Sequence, residues 1–185
     1  PNTVFHARPP VGLPDEEAAW SIQEAAAEVL VEAGLEQYEV SAWARPGHRC
    51  RHNLNYWQFG DYLAVGAGAH GKITAGDAVE RYRKPANPAQ YMQSMESGES
   101  ALSPDLPAGE ELIFEFMLNA LRLVEGFQES WFEERTGLAA VTLRESAADA
   151  LEKGLMERSS EGLWRPTPLG MRFLNDLQAE FLPAA

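Results

Sequence analysis

Between Asp15 and Ala33 apolar residues recur at spacings near three or four, at Trp20, Ile22, Ala26, Val29 and Leu30, which predicts a helix. Pro14 and the acids Asp15, Glu16 and Glu17 sit where a helix N-terminus favours them, and Gly34 stands where a helix stops. Tyr38 to Trp43 alternates like a strand and Arg45-Pro46-Gly47 breaks it, so 15–43 reads as helix, tight turn and strand, one step of an α/β layer. Residues 44–60 are irregular. Tyr62 to Gly66 is a short apolar run that predicts another strand, leading into Gly66-Ala67-Gly68-Ala69-His70-Gly71. Residues 73–108 show little sustained periodicity, apart from a short helix opened by Pro88, and Ser103 to Pro107 reads as a linker. A boundary near 107 divides the chain into a first unit, 1–106, and a second, 107–185.

The second unit has a different texture. Apolar residues at 112, 113, 116, 117, 120, 121 and 124 predict an amphipathic helix over Glu110 to Val124. A short helix over Ser130 to Arg135 ends at Gly137, and a third spans Val141 to Lys153 before Gly154. Leu155 to Arg158 and Leu163 to Arg165 flank Ser159-Ser160-Glu161-Gly162, a hairpin pattern. Thr167-Pro168 is an N-cap and first-turn pair that opens a helix to about Leu182. Three helices, a two-stranded wing and a last helix predict a winged-helix-like, α+β unit.

Charge narrows what such a protein does. The 185 residues carry 28 acids against 15 lysines and arginines, a net charge of −13, which argues against nucleic acid and anionic membranes. Residues 107–185 alone hold 14 acids and 7 Lys or Arg, so the helix over 141–153 reads as a packing or partner-contact element rather than a DNA-reading one. No apolar run is long enough to predict stable membrane insertion. A single cysteine, Cys50, excludes a disulfide framework and a zinc ribbon. Without a visible leader the expected location is cytoplasmic. The opening Pro1-Asn2-Thr3, without Met, predicts a piece of a longer protein.

One stretch departs from this acidic background. Val40 to Gly60 has no Asp or Glu, yet it holds Arg45, Arg49, Arg51, His48 and His52 interleaved with Trp43, Tyr56, Trp57 and Phe59. Guanidinium groups pair with carboxylates and aromatic rings cover flat ligands, so a planar ring bearing several carboxylates, such as a porphyrin, suits this composition. His52 is a possible iron ligand and Cys50 a possible thiolate ligand. The competing reading is a solvated basic loop whose aromatics belong to the core and whose cysteine is an inert thiol. The glycine run after Val65 lets backbone approach a ligand, or else marks a tight turn at a strand end, with His70 beside it. It lacks the spacing of a dinucleotide or phosphate-binding loop.

Three blocks carry a resemblance: Tyr38-Glu39-Val40-Ser41-Ala42-Trp43-Ala44-Arg45-Pro46-Gly47, then Arg51-His52-Asn53-Leu54-Asn55-Tyr56-Trp57, then Gly60-Asp61-Tyr62 through Gly71. Together they resemble the radical-SAM family of oxygen-independent coproporphyrinogen III oxidase-like proteins, and His-Asn-x-x-Tyr-Trp points to its heme-chaperone branch. The resemblance implies the end of a partial (β/α)6 barrel in 1–106, followed by the family's C-terminal domain. It also implies, for intact members, a [4Fe–4S] cluster held by Cys-x-x-x-Cys-x-x-Cys with S-adenosylmethionine on the open iron. Those cysteines are missing here, so no cluster and no radical chemistry is expected of this chain by itself.

By the same resemblance, Ala44 and Ile113 correspond to S-adenosylmethionine contacts and His52 to a heme-binding histidine. Arg45, Arg49 and Arg51 would then pair with propionates, and Tyr56 and Trp57 would pack on the ring. The implied partners are heme or porphyrin and heme-acceptor proteins. Three functions follow as expectations: part of a heme chaperone, part of a coproporphyrinogen III oxidase, or a winged-helix protein-interaction module. The open strand edges of an incomplete barrel predict a homodimer or a disordered N-terminal portion.

Overall fold

The computed structural model describes residues 3–76, 78–98 and 103–183; Pro1 and Asn2, at the opening of the chain, lie outside them. The fold is mixed α/β. Its first part runs through α1 (Val4–Ala7), α2 (Glu16–Glu32), β1 (Glu36–Glu39), β2 (Ala42–Ala44), α3 (Arg51–Trp57), β3 (His70–Ala75), β4 (Ala78–Arg83), α4 (Pro88–Ser97) and β5 (Ser103–Asp105). The second part holds α5 (Glu110–Ala120), β6 (Phe127–Gln128), α6 (Glu129–Thr136), α7 (Ala140–Ser146) and α8 (Ala148–Glu152). It closes with β7 (Met156–Arg158), β8 (Leu163–Pro166), α9 (Pro168–Arg172) and α10 (Leu174–Ala179).

The helix starts follow their caps. Asp15 accepts from the Ala18 amide at 2.9 Å, and Glu16 and Glu17 follow in the first turn of α2. Asn87 accepts from the amides of Ala89 and Gln90 ahead of Pro88. Thr167 accepts from the Gly170 amide at 3.1 Å and donates to the Gly154 carbonyl at 2.7 Å. Its replacement by alanine removes both bonds, and we expect a loss of about 1 kcal/mol, checked by urea denaturation.

Three sheets form, of order β1-β2, β3-β4-β5 and β6-β8-β7, and every pairing among the described strands is antiparallel. Several elements differ from the pattern-based expectation. Tyr38 to Trp43 is not one strand: the chain turns at Val40 and Ser41, and β1 pairs with β2 across a register shift. The turn is pinned where Glu39 accepts from the Ser41 amide at 3.1 Å. Of Tyr62 to Gly66 only Tyr62 pairs, as an isolated bridge to Lys72. The end of the glycine run and the start of 73–108, the stretch with little periodicity, form the β3-β4 hairpin, and the segment expected as a linker supplies β5 on its edge. The helices expected over 141–153 and 167–182 each break, at Ala147 and at Phe173.

The core is built on α5. Leu112, Ile113, Phe116, Met117 and Ala120 are buried, and the Phe116 ring meets Phe59, Phe127 and Phe132 edge-on at 5.5, 5.2 and 5.2 Å. Phe59 and Val79 thus belong to the same buried cluster as α5, Trp164 and Leu177. The segment carrying α3 is therefore docked against the second part by a shared core rather than by surface contact. By contrast α2 buries no residue, and its Ile22, Val29 and Val31 are exposed.

Candidate functional site

The His-Asn-x-x-Tyr-Trp motif forms the seven-residue helix α3, reached through a turn in which Gly47 takes φ +78°. Helical spacing divides the motif between two faces, because residues four apart are neighbours. His52 and Tyr56 share one face, with ring centroids 4.9 Å apart and planes at 82°. The Tyr56 ring then lies 4.6 Å from that of Tyr62, whose hydroxyl accepts from Arg81 at 3.1 Å. A row of three rings, His52, Tyr56 and Tyr62, results. His52 is exposed and Tyr56 half-buried.

Asn53 and Trp57 lie on a neighbouring face, about 100° around the helix. Asn53 donates to the Tyr38 hydroxyl at 3.3 Å. Arg122 stacks on Trp57 with its guanidinium 4.2 Å from the ring centroid, and donates to the buried Glu39 carboxylate at 3.0 Å and to Ser41 at 3.3 Å. Trp57, expected on the ligand, carries the Arg122 guanidinium on its ring, and Arg122 ties this face of α3 to the β1-β2 turn.

The arginines also separate. Arg49, expected to meet a propionate, donates through both Nη atoms to Glu125 and lies 3.8 Å from Glu36. Those hydrogen bonds hold the Glu125 carboxyl below its ordinary range and raise Arg49. Arg45 and Arg51 are exposed and have no ion pair among the described residues. His48 is within 3.0 Å of the Pro46 carbonyl through Nδ1, and Cys50 is free and exposed just before α3. The glycine run is a turn feeding β3: Gly66 and Gly68 take φ +99° and +72°, and the Gly68 amide donates to Pro85 at 2.8 Å.

Ala44 is buried in β2 opposite Glu36, whereas Ile113 is buried in α5 and lines a cavity of about 240 Å³ with Ser146 and Phe181. No described contact joins the two. A [4Fe–4S] cluster needs several thiolates, and one exposed cysteine does not fit that group. No sequence motif marks Lys72, Asp61, Glu39 and Arg122, the ionic groups that flank α3. Their partners are distant in sequence, so no local spacing marks them.

These observations meet known proteins at several points. Residues 108–173 match the family model described as the HemN C-terminal domain. The solved structure of Escherichia coli coproporphyrinogen III oxidase HemN, a radical SAM enzyme, superposes with a TM-score of 0.59 at 16% identity, over 91% of this chain and 42% of that one. The chain resembles the coproporphyrinogen III oxidase-like family. Within it, the chain is 42% identical to the heme chaperone HemW of Escherichia coli strain K12, over 98% of its own length and 47% of that protein. It is 40% identical to the heme chaperone HemW of Haemophilus influenzae, over 98% and 46%. It also aligns with mitochondrial radical S-adenosyl methionine domain-containing protein 1 of Bos taurus at 34% identity, over 65% of this chain and 28% of that protein. The chain spans about half the length of the HemW relatives it matches.

Proposed function

We propose that this chain is part of a heme chaperone and that the exposed face of α3 holds the heme. His52 ligates iron, Tyr56 lies against the ring, and Arg45 and Arg51 pair with the propionates. Arg49 and Trp57 hold the scaffold. The observation that carries the reading is the placement of an exposed imidazole on a row of rings, with two guanidinium groups free of ion pairs, in an acid-free stretch of a chain with net charge −13. Such a surface suits a flat, acidic ligand and its release, because His52, Arg45 and Arg51 all stand exposed.

The winged outline of α5 to α10, with β7-β8 as the wing, serves in this reading as the surface for a heme-acceptor protein. In this reading Ala44 and Ile113 are the positions that would contact S-adenosylmethionine in the intact protein. Among the described residues no helix is long and apolar enough to cross a membrane.

Hemin titration at low salt tests the arginines. Reversing both charges, Arg45→Glu with Arg51→Glu, lowers hemin affinity about tenfold, while hemin dimethyl ester, which lacks propionate carboxylates, loses less than about twofold. Absence of a hemin complex in the wild type, or equal loss for both ligands, contradicts the proposal.

A further inference from the structure

Lys72 is the one lysine or arginine among the described residues that is almost completely buried, with 1% of its side chain exposed. It lies on β3, outside the exposed face of α3. All three of its protons are used: Nζ donates to the Phe59 carbonyl at 2.9 Å, to Asp61 Oδ1 at 3.1 Å and to Thr74 Oγ1 at 3.2 Å. Nζ also sits 4.2 Å over the Phe59 ring. Burial pushes its pKa below the ordinary lysine value, and the Asp61 carboxylate opposes that. An apolar side chain of similar size fills such a position without the cost of desolvating an ammonium, so what Lys72 adds is geometry.

The geometry concerns α3. That helix has no side-chain N-cap and no fully buried residue, so packing alone does not fix its orientation. Its last turn is instead looped back on the residues that follow: the Phe59 amide donates to the Tyr56 carbonyl at 2.9 Å and the Gly60 amide to the Asn55 carbonyl at 2.7 Å. To make this loop Phe59 takes φ +54°, the left-handed region that a bulky residue rarely enters. Lys72 Nζ clasps the carbonyl of that strained residue. The Lys72 backbone meanwhile exchanges both hydrogen bonds with Tyr62, at 2.9 and 3.0 Å, and Tyr62 is the ring on which Tyr56 rests. Asp61, between them, accepts from Thr74 at 3.0 and 2.8 Å. One residue thus ties the end of α3 through its side chain and the neighbouring ring through its main chain.

We infer that Lys72 is a positioning residue for the ligand-facing surface of α3, acting through Phe59 and Tyr62 on Tyr56 and His52. The inference rests on the reading of that surface as the heme site. It is tested in the full chain by hydrogen exchange and hemin spectra of Lys72→Met, Asp61→Asn and the double variant.

Lys72→Met raises exchange across residues 51–60 about tenfold while residues 110–120 change less than about twofold, and it broadens the wild-type Soret band. The double variant removes the unpaired carboxylate and recovers the melting temperature, but neither the exchange nor the band. Wild-type protection over 51–60 in Lys72→Met, or recovery of the band in the double variant, overturns the inference and leaves the heme reading standing. A wild type without any His52-dependent band overturns the heme reading, and the exchange data alone then decide whether Lys72 holds α3. If Lys72→Met does not fold, Asp61→Asn carries the test, with the same segment loosened by a smaller factor. Unchanged exchange there overturns the inference.

Discussion

Replacing Glu129 with alanine lowers stability by about 2 to 3 kcal/mol and the melting temperature by roughly 5 to 10 °C. Glu129 opens α6 with a side chain only 13% exposed, and three elements converge on it. Arg144 of α7 donates at 2.6 and 3.2 Å, Arg158 of β7 at 2.9 and 3.2 Å, and the indole of the fully buried Trp164 in β8 at 3.1 Å. Truncation strands the indole N–H in the core and leaves the two guanidinium groups without their acceptor. Both arginines are partly exposed and rehydrate, which keeps the cost below that of breaking a fully buried pair.

The same groups give the effect a pH signature. Hydrogen bonding by Arg144, then by Arg158 and Trp164, lowers the Glu129 pKa from 4.5 to about 2. A carboxyl depressed in the folded state contributes stability above its unfolded pKa and loses it as pH falls through its folded value. The gap between wild type and Glu129→Ala is therefore flat from pH 5 to 8 and closes between about 4.5 and 2. Thermal melts across that range check it. A gap that persists at pH 2 shows that packing, not the charge, is responsible.

The fold was legible where local chemistry decides it. The apolar stripe of α5 and the Thr167-Pro168 start of α9 all match their patterns. The β7-β8 turn does too, with Ser159 Oγ accepting from the Glu161 and Leu163 amides. It was illegible where a charge is buried by a distant partner. Glu39 lies inside because Arg122, 83 residues later, pairs with it, so an alternating strand conceals a turn. Lys72 interrupts the apolar rhythm of β3 and is satisfied by Asp61 from another segment. At the site, the residue types of the basic-aromatic stretch were readable, but their division into faces was not. Arg49 is taken up by Glu125 and Trp57 by Arg122, and nothing within 44–60 announces either partner.

His52→Ala has the largest expected effect on ligand binding, because no other imidazole belongs to the row formed with Tyr56 and Tyr62. His48 is drawn to the Pro46 carbonyl, and His70 sits at the start of β3. Cys50, free and exposed one residue before α3, offers a thiolate with a distinct spectrum, so loss of His52 is not silently replaced. The decisive measurement is a hemin titration of wild type and His52→Ala followed at the Soret band. An imidazole-ligated band in the wild type, lost in the variant together with at least about tenfold in affinity, is the predicted result. Identical bands and affinities in the two proteins would contradict a heme site on α3.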